Sequence, residues 1–184
     1  LNPQAHEKVW LPVRRPDCNL CDLHKEARTV CLLGDGPVPA KVMIIGEAPG
    51  AREDDVERPF SGVAGQYLDR ILNEVGLPRD SVYITNAVRC RPPDNRTPTK
   101  TELKACHPYL LREIEIVQPD FILLLGNAAL QAVTGKTGIM TKHGVEVETV
   151  RVVDHDIATG VWPVMTEHGW ATDEWPAIQE KVWA

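Results

Sequence analysis

The residues with the most evident chemistry are four thiols in two distant segments. Cys18 and Cys21 form a CxxC pair, the spacing that lets two thiolates reach one metal centre. Cys90 and Cys106 have 15 residues between them, the first in a loop rich in Arg and Pro and the second in the first turns of the helix that follows. Four thiolates from two segments suit a cluster that staples an N-terminal arm to the core. Zinc is also compatible with this chemistry, although zinc sites usually draw both ligand pairs from closer spacing. A disulfide set fits poorly with the odd count of five cysteines. A redox CxxC is expected to open a helix after a strand, whereas this pair lies in a polar stretch. The fifth, Cys31, sits in the apolar run Val30-Cys31-Leu32-Leu33 and reads as a small buried residue.

Positive charge gathers next to the third cysteine. Arg89, Arg91, Arg96, Lys100 and Lys104 face only Asp94 and Glu102 in that stretch. A local basic face of this kind can meet nucleic-acid phosphates, and it reads equally as a solvated helix start. The 184-residue chain as a whole carries a net charge of −6, which argues against a protein that coats nucleic acid nonspecifically. With 43% apolar and 25% charged residues its composition is that of an ordinary folded domain. No apolar stretch is long enough to span a bilayer and no signal peptide is read at the N-terminus, so the expectation is an intracellular protein without a membrane association.

The elements that must position these groups alternate between short apolar strands and amphipathic helices. Strands are expected at 41–45, 82–85 and 120–125, with two further candidates at 145–153 and 161–165. Leu68, Ile71, Leu72 and Val75 mark one face of a helix over 63–75, stopped by Gly76 and Pro78. Thr99-Lys100-Thr101-Glu102 has capping-box spacing and starts a helix running to about Gln118. A short helix follows Gly126, and a last one is expected over 174–183. The pattern predicts an α/β fold with a mostly parallel sheet covered on both faces. In such sheets the ligand lies beyond the carboxyl ends of the strands, where Gly46-Glu47-Ala48-Pro49-Gly50, Thr85-Asn86 and Gly126-Asn127 fall.

Four separated blocks resemble the iron–sulfur, or family 4, members of the uracil-DNA glycosylase superfamily. They are Cys18-Asn-Leu-Cys21-Asp-Leu-His24 with Arg28-Thr29; Gly46–Gly50 with Glu53-Asp54 and Arg58-Pro-Phe60-Ser-Gly62-Val-Ala-Gly65; Thr85-Asn86 through Cys90 to Pro93 with Cys106-His-Pro-Tyr-Leu110; and Pro119-Asp120 through Gly126. Each block alone is weak, but together, in this order, they are specific. The resemblance implies a three-layer α/β/α fold with a central, mostly parallel four-stranded sheet. Residues 1–184 would then be one domain with a cluster-binding arm at about 1–35, acting as a monomer. It implies a structural 4Fe–4S cluster on Cys18, Cys21, Cys90 and Cys106.

The resemblance also assigns roles around a flipped pyrimidine in DNA. Gly46 and Ala48 belong to the loop against the base, Glu47 to the catalytic water, Phe60 to the stacking face, and Asn86 to the base's hydrogen-bonding edge. Taken singly, Phe60 reads more readily as a core aromatic, Asn86 as a turn former or cap, and Glu47 as a surface carboxylate. The chemistry nonetheless wants such groups. A nucleotide must be rotated out of the stack, an aromatic face recovers part of that cost, and an Asn amide offers both donor and acceptor. A carboxylate can orient water and favour a sugar cation, while a donor at the base oxygen stabilises the departing anion.

Two departures from the family pattern bear on function. The family's late His-Pro-small motif is matched only by His168-Gly169-Trp170, with His168 in the place of the donor to the base oxygen and Gly169 and Trp170 in the loop that meets DNA. The usual Gly before Arg-Pro-Phe is replaced by Val56-Glu57, and because glycine permits close backbone approach to a ligand, a bulky acidic residue there is expected to alter what fits. Three functions follow: a uracil-DNA glycosylase of base-excision repair, a glycosylase for a modified or bulkier pyrimidine, and a cluster-stabilised DNA-binding relative without chemistry.

Overall fold

The computed structural model describes residues 15–138, together with 151–152 and 164–165. Its centre is a parallel sheet of three strands, β1 (Val42–Gly46), β2 (Tyr83–Asn86) and β3 (Phe121–Leu124), in the spatial order β2-β1-β3. β1 pairs with β2 from Met43 opposite Tyr83 to Gly46 opposite Asn86, and with β3 from Val42 opposite Phe121 to Ile45 opposite Leu124. All three strands therefore run out at the same end, where Gly46 and Asn86 stand side by side.

Four helices accompany the sheet: α1 (Ala51–Val56), α2 (Val63–Glu74), α3 (Lys100–Val117) and α4 (Asn127–Thr134). Alternation along β1 separates two apolar cores. Ile44 points into one with Leu68 and Leu72 of α2 and with Val82 and Ile84. Met43 and Ile45 enter the other with Tyr83, with Leu103, Leu110 and Ile114 of α3, and with Ala129 and Val133 of α4. Thr99 caps α3 as its spacing predicts: its hydroxyl accepts from the Glu102 N–H at 3.3 Å, and the Glu102 carboxylate accepts from the Thr99 N–H at 2.8 Å. The helix runs through Pro108, and Leu103 and Leu110 of the same helix are buried in the core.

Two expectations need correction. The sheet is expected to be covered on both faces, but on β3 Phe121 is 70% and Leu123 47% exposed, because these two share a face that no described helix covers there. The two later strand candidates contribute β4 (Arg151–Val152) and β5 (Val164–Met165), and these pair antiparallel with each other as a separate ribbon rather than extending the parallel sheet. The helix expected over 174–183 lies outside the described residues.

The N-terminal arm docks along the opposite edge. Asp35 and Ile84 exchange backbone hydrogen bonds of 2.9 and 2.8 Å, and the Leu32 N–H donates to the Arg89 carbonyl at 2.8 Å. Asp54 of α1, itself buried, accepts from the backbone N–H groups of Arg28 and Thr29 at 3.0 and 2.8 Å. Among the described residues no helix is long and apolar enough to cross a membrane.

Candidate functional site

The carboxyl ends of β1 and β2 build a small constellation from Gly46, Glu47, Phe60 and Asn86. A Cβ on Gly46 would stand 2.5 Å from the Phe60 ring and 2.7 Å from the Asn86 amide oxygen, so only glycine fits between them. Asn86 is buried and Phe60 is half-buried. The loop after β1 is pinned by its neighbour: the Ala87 N–H donates to the Gly46 carbonyl at 2.8 Å and the Val88 N–H to the Glu47 carbonyl at 3.1 Å. The Glu47 backbone is thereby fixed, while its half-buried carboxylate has no hydrogen-bond partner among the described residues. Ala48 is half-buried and packs on the α3 side of the core.

Two residues that the sequence reading did not assign hold this constellation. The Glu53 carboxylate accepts from the Gly50 N–H at 3.2 Å and from the Gly62 N–H at 2.7 Å, tying the loop after β1 to the loop that carries Phe60. Glu53 lies three residues after Gly50, so a cap was visible in the spacing, but its second hold on Gly62 was not. Arg79, in the turn before β2, donates to the carbonyls of Pro59 and Phe60 at 2.5 and 2.9 Å. Nothing in the sequence links residues 19 and 20 positions apart in that way.

Glu57 is the C-cap of α1 at φ 57° and ψ 35°, and it is exposed. A left-handed cap is the position where a helix most often ends in glycine. A glycine at this point would thus answer a backbone demand, independently of anything its side chain does toward a ligand.

The second site is a recess lined by Cys18, Cys21, Cys90 and Cys106, together with Cys31 and Tyr109. The fold thus gathers the four expected thiols. Cys31, read from sequence only as a buried filler, belongs to the same lining: it holds φ 56° and its N–H donates to Cys90 Sγ at 3.3 Å. The Tyr109 hydroxyl donates to Cys18 Sγ at 3.7 Å. Burial pushes the Cys90 thiol up to about 11 and the Cys106 thiol up to about 12, and it raises Cys21 as well. These thiols stay protonated without a cation, so binding a thiolate-ligated centre would release protons. Among the described residues no three His, Cys, Asp or Glu side chains converge tightly enough to hold a single metal ion. A recess bounded by soft sulfur donors from two segments fits a polynuclear iron–sulfur centre.

Arg89 was expected on the DNA-facing surface, and the structure corrects this. Its side chain is 2% exposed and lies 2.7 Å from Glu113, which is fully buried on α3. Burial opposes the guanidinium charge, while the Glu113 carboxylate and the sulfurs of Cys31 and Cys106 favour it, and the net direction is upward from the usual value. Glu113 also accepts from the Gly34 N–H and from the hydroxyls of Tyr83 and Thr85 at 2.9, 3.1 and 2.7 Å. This network runs from behind the cysteines to the strand that ends in Asn86. Arg91 donates to Asn95 at 2.8 Å, and Arg96, which is exposed, forms two bonds of 2.9 and 2.7 Å with Glu102. Lys100 and Lys104 are also exposed. His168, Gly169 and Trp170 lie outside the described residues.

A parallel α/β sheet with Gly46, Phe60 and Asn86 gathered at its carboxyl end, together with a cysteine-lined recess, defines the class of protein. A profile of the uracil DNA glycosylase superfamily matches residues 33–174, and the chain belongs to that superfamily. It is similar to the type-4 uracil-DNA glycosylases of Pyrobaculum aerophilum (47% identical over 63% of this chain and 59% of the relative) and Thermotoga maritima (47% over 68% and 65%). The type-4 enzyme of Saccharolobus solfataricus is 50% identical over 59% of this chain and 50% of the relative. The matched region therefore spans about half to two-thirds of the length of these relatives.

Proposed function

We propose that this chain is a DNA glycosylase that hydrolyses the N-glycosidic bond of uracil in DNA, as part of base-excision repair. The observation that carries this reading is the packing of Gly46 against both the Phe60 ring and the Asn86 amide, with Glu47 next in the chain and its backbone pinned by Val88. The names and similarity of the type-4 relatives support it.

In this reading a uracil nucleotide is rotated out of the DNA and its base stacks on Phe60. Asn86 pairs with the pyrimidine edge, and a base that mismatches that amide leaves buried polar groups unpaired. The glycosidic bond breaks with its electron pair leaving on the base. Glu47 orients the water that adds to the sugar carbon and favours the positive charge there, while His168 donates to the base oxygen. Arg91, Arg96, Gly169 and Trp170 contact DNA. Arg89 leaves that set because its charge is spent inside the protein on Glu113.

Cys18, Cys21, Cys90 and Cys106 would hold a 4Fe–4S cluster, which when bound supplies a structural tie between arm and core. The same reading takes the sheet as four-stranded within a three-layer fold; cores on both sides of β1 and the exposed Phe121 and Leu123 of β3 support it. It takes residues 1–184 as one domain with its cluster arm at about 1–35, acting as an intracellular monomer. The alternative of a bulkier pyrimidine rests on Glu57, which is exposed at the end of α1, and on Gly169.

Base release from an oligonucleotide carrying one uracil, read as alkali-sensitive strand cleavage, tests the proposal. Cleavage at uracil is expected, with Glu47→Gln slowing it on the order of 10²-fold or more at unchanged DNA affinity. Tight binding with no release from any pyrimidine in a panel would instead identify a binding-only relative.

A further inference from the structure

Phe60 holds φ 50°, a left-handed conformation that bulky side chains rarely adopt and that persists only where the surroundings impose it. The source of that constraint is legible around it. On one side α2 comes so close that a Cβ on Gly65 would lie 1.8 Å from the Phe60 carbonyl oxygen. On the other, the Arg79 guanidinium donates from Nη2 to the Pro59 carbonyl at 2.5 Å and from Nη1 to the Phe60 carbonyl at 2.9 Å. One planar fork thus sets the orientation of two consecutive peptide groups.

The guanidinium is itself held. Nη1 also donates to Asp69 of α2 at 3.0 Å, and Nη2 lies 3.6 Å from Asp35 of the arm, with the Arg79 side chain only 14% exposed. Asp35 in turn is bonded by Arg58 at 2.7 Å, from the same loop as Phe60. The ring beside Gly46 is therefore placed through its backbone, by a clamp built on Arg79, Asp69 and Asp35.

We propose that Arg79 is a positioning residue for base recognition: it holds the Phe60 backbone in its strained conformation and so fixes the stacking face against Gly46 and Asn86. The inference rests on the glycosylase reading for its functional consequence, but the clamp itself is testable without it.

The chain has two phenylalanines, Phe60 and Phe121, so incorporation of 4-fluorophenylalanine gives two fluorine resonances, with Phe60→Leu identifying the first. Arg79→Gln is expected to shift or broaden the Phe60 line and leave the Phe121 line in place. An unmoved Phe60 line overturns the proposal. In base release from a single-uracil oligonucleotide, Arg79→Gln is expected to raise KM by roughly ten- to hundredfold, the range that a stacked base contributes. The same substitution in a Phe60→Leu background should then change KM little. A full effect in that background would mean that Arg79 acts by some route other than Phe60, and would also overturn the proposal.

If the unsubstituted chain releases no base, the glycosylase reading fails while the fluorine spectrum still decides the clamp. Should Arg79→Gln fail to fold, Asp69→Asn loosens the guanidinium from its far side. It is expected to move the Phe60 line in the same direction by less, and no movement there counts against the clamp.

Discussion

At the scale of single residues, the backbone explains positions that side-chain chemistry alone misreads. Glu57 occupies a left-handed helix cap, a conformation that favours glycine and taxes an L side chain by about 1 kcal/mol. Glu57→Gly is therefore expected to stabilise the chain by roughly that amount in a urea or thermal melt, and to leave base selectivity unchanged. A change in selectivity would return Glu57 to the pocket. Gly46 makes the opposite case: its glycine is demanded by space, because ring and amide close on both sides of it. Arg89 shows the third kind of error, in which a charge counted toward a basic face is consumed by a buried carboxylate. No residue count distinguishes a surface arginine from one buried beside a carboxylate 24 residues later.

At the scale of elements, α3 carries most of the organisation. It contributes Cys106 and Tyr109 to the recess, Glu113 to the buried network, and Leu103, Leu110 and Ile114 to the core. Its face against α4 includes His107, which is buried and interacts with the backbone at Ala132. Burial lowers the His107 imidazole from its usual 6.5 to about 4. The folded chain thus keeps this ring neutral where the unfolded chain protonates it. The stability it contributes is complete above about pH 6.5 and is lost as pH falls toward 4, by up to roughly 3 kcal/mol. Urea denaturation at pH 7.5 and pH 5 should show that loss, and His107→Gln should flatten it. An equal slope in the variant would assign the acid sensitivity elsewhere.

At the scale of the whole molecule, the arm is fastened to the core at several places besides the contacts of Leu32, Gly34 and the Asp35 carboxylate. The Asp35–Ile84 bridge extends the sheet edge, Asp54 receives the backbone of Arg28 and Thr29, and the cysteine recess joins Cys18 and Cys21 to Cys90 and Cys106. Cys21→Ser is expected to remove iron and the cluster's visible absorbance, and to speed proteolytic cleavage within residues 15–31 severalfold or more. The face of the sheet under α2 should stay protected, because the cluster of Ile44, Leu68, Leu72, Val82 and Ile84 includes none of the recess cysteines. Full protection of the arm without iron would show that the other contacts suffice, and that the cluster has another purpose.

The sequence alone determined the three parallel strands, the helices α2, α3 and α4, and the capping box at Thr99, because periodicity and capping are local properties of a chain. It also identified the four thiols, since CxxC and a basic, proline-rich loop are signatures in order and spacing. What it did not determine was which residues meet across long separations. Arg79 reaching Phe60, Glu53 joining two loops, Glu113 neutralising Arg89 and Cys31 turning toward Cys90 are contacts between segments that come together only on folding. Burial decides them: it makes a buried charge require a partner and a strained backbone require a clamp, and burial is set by the tertiary fold rather than by neighbours in the chain.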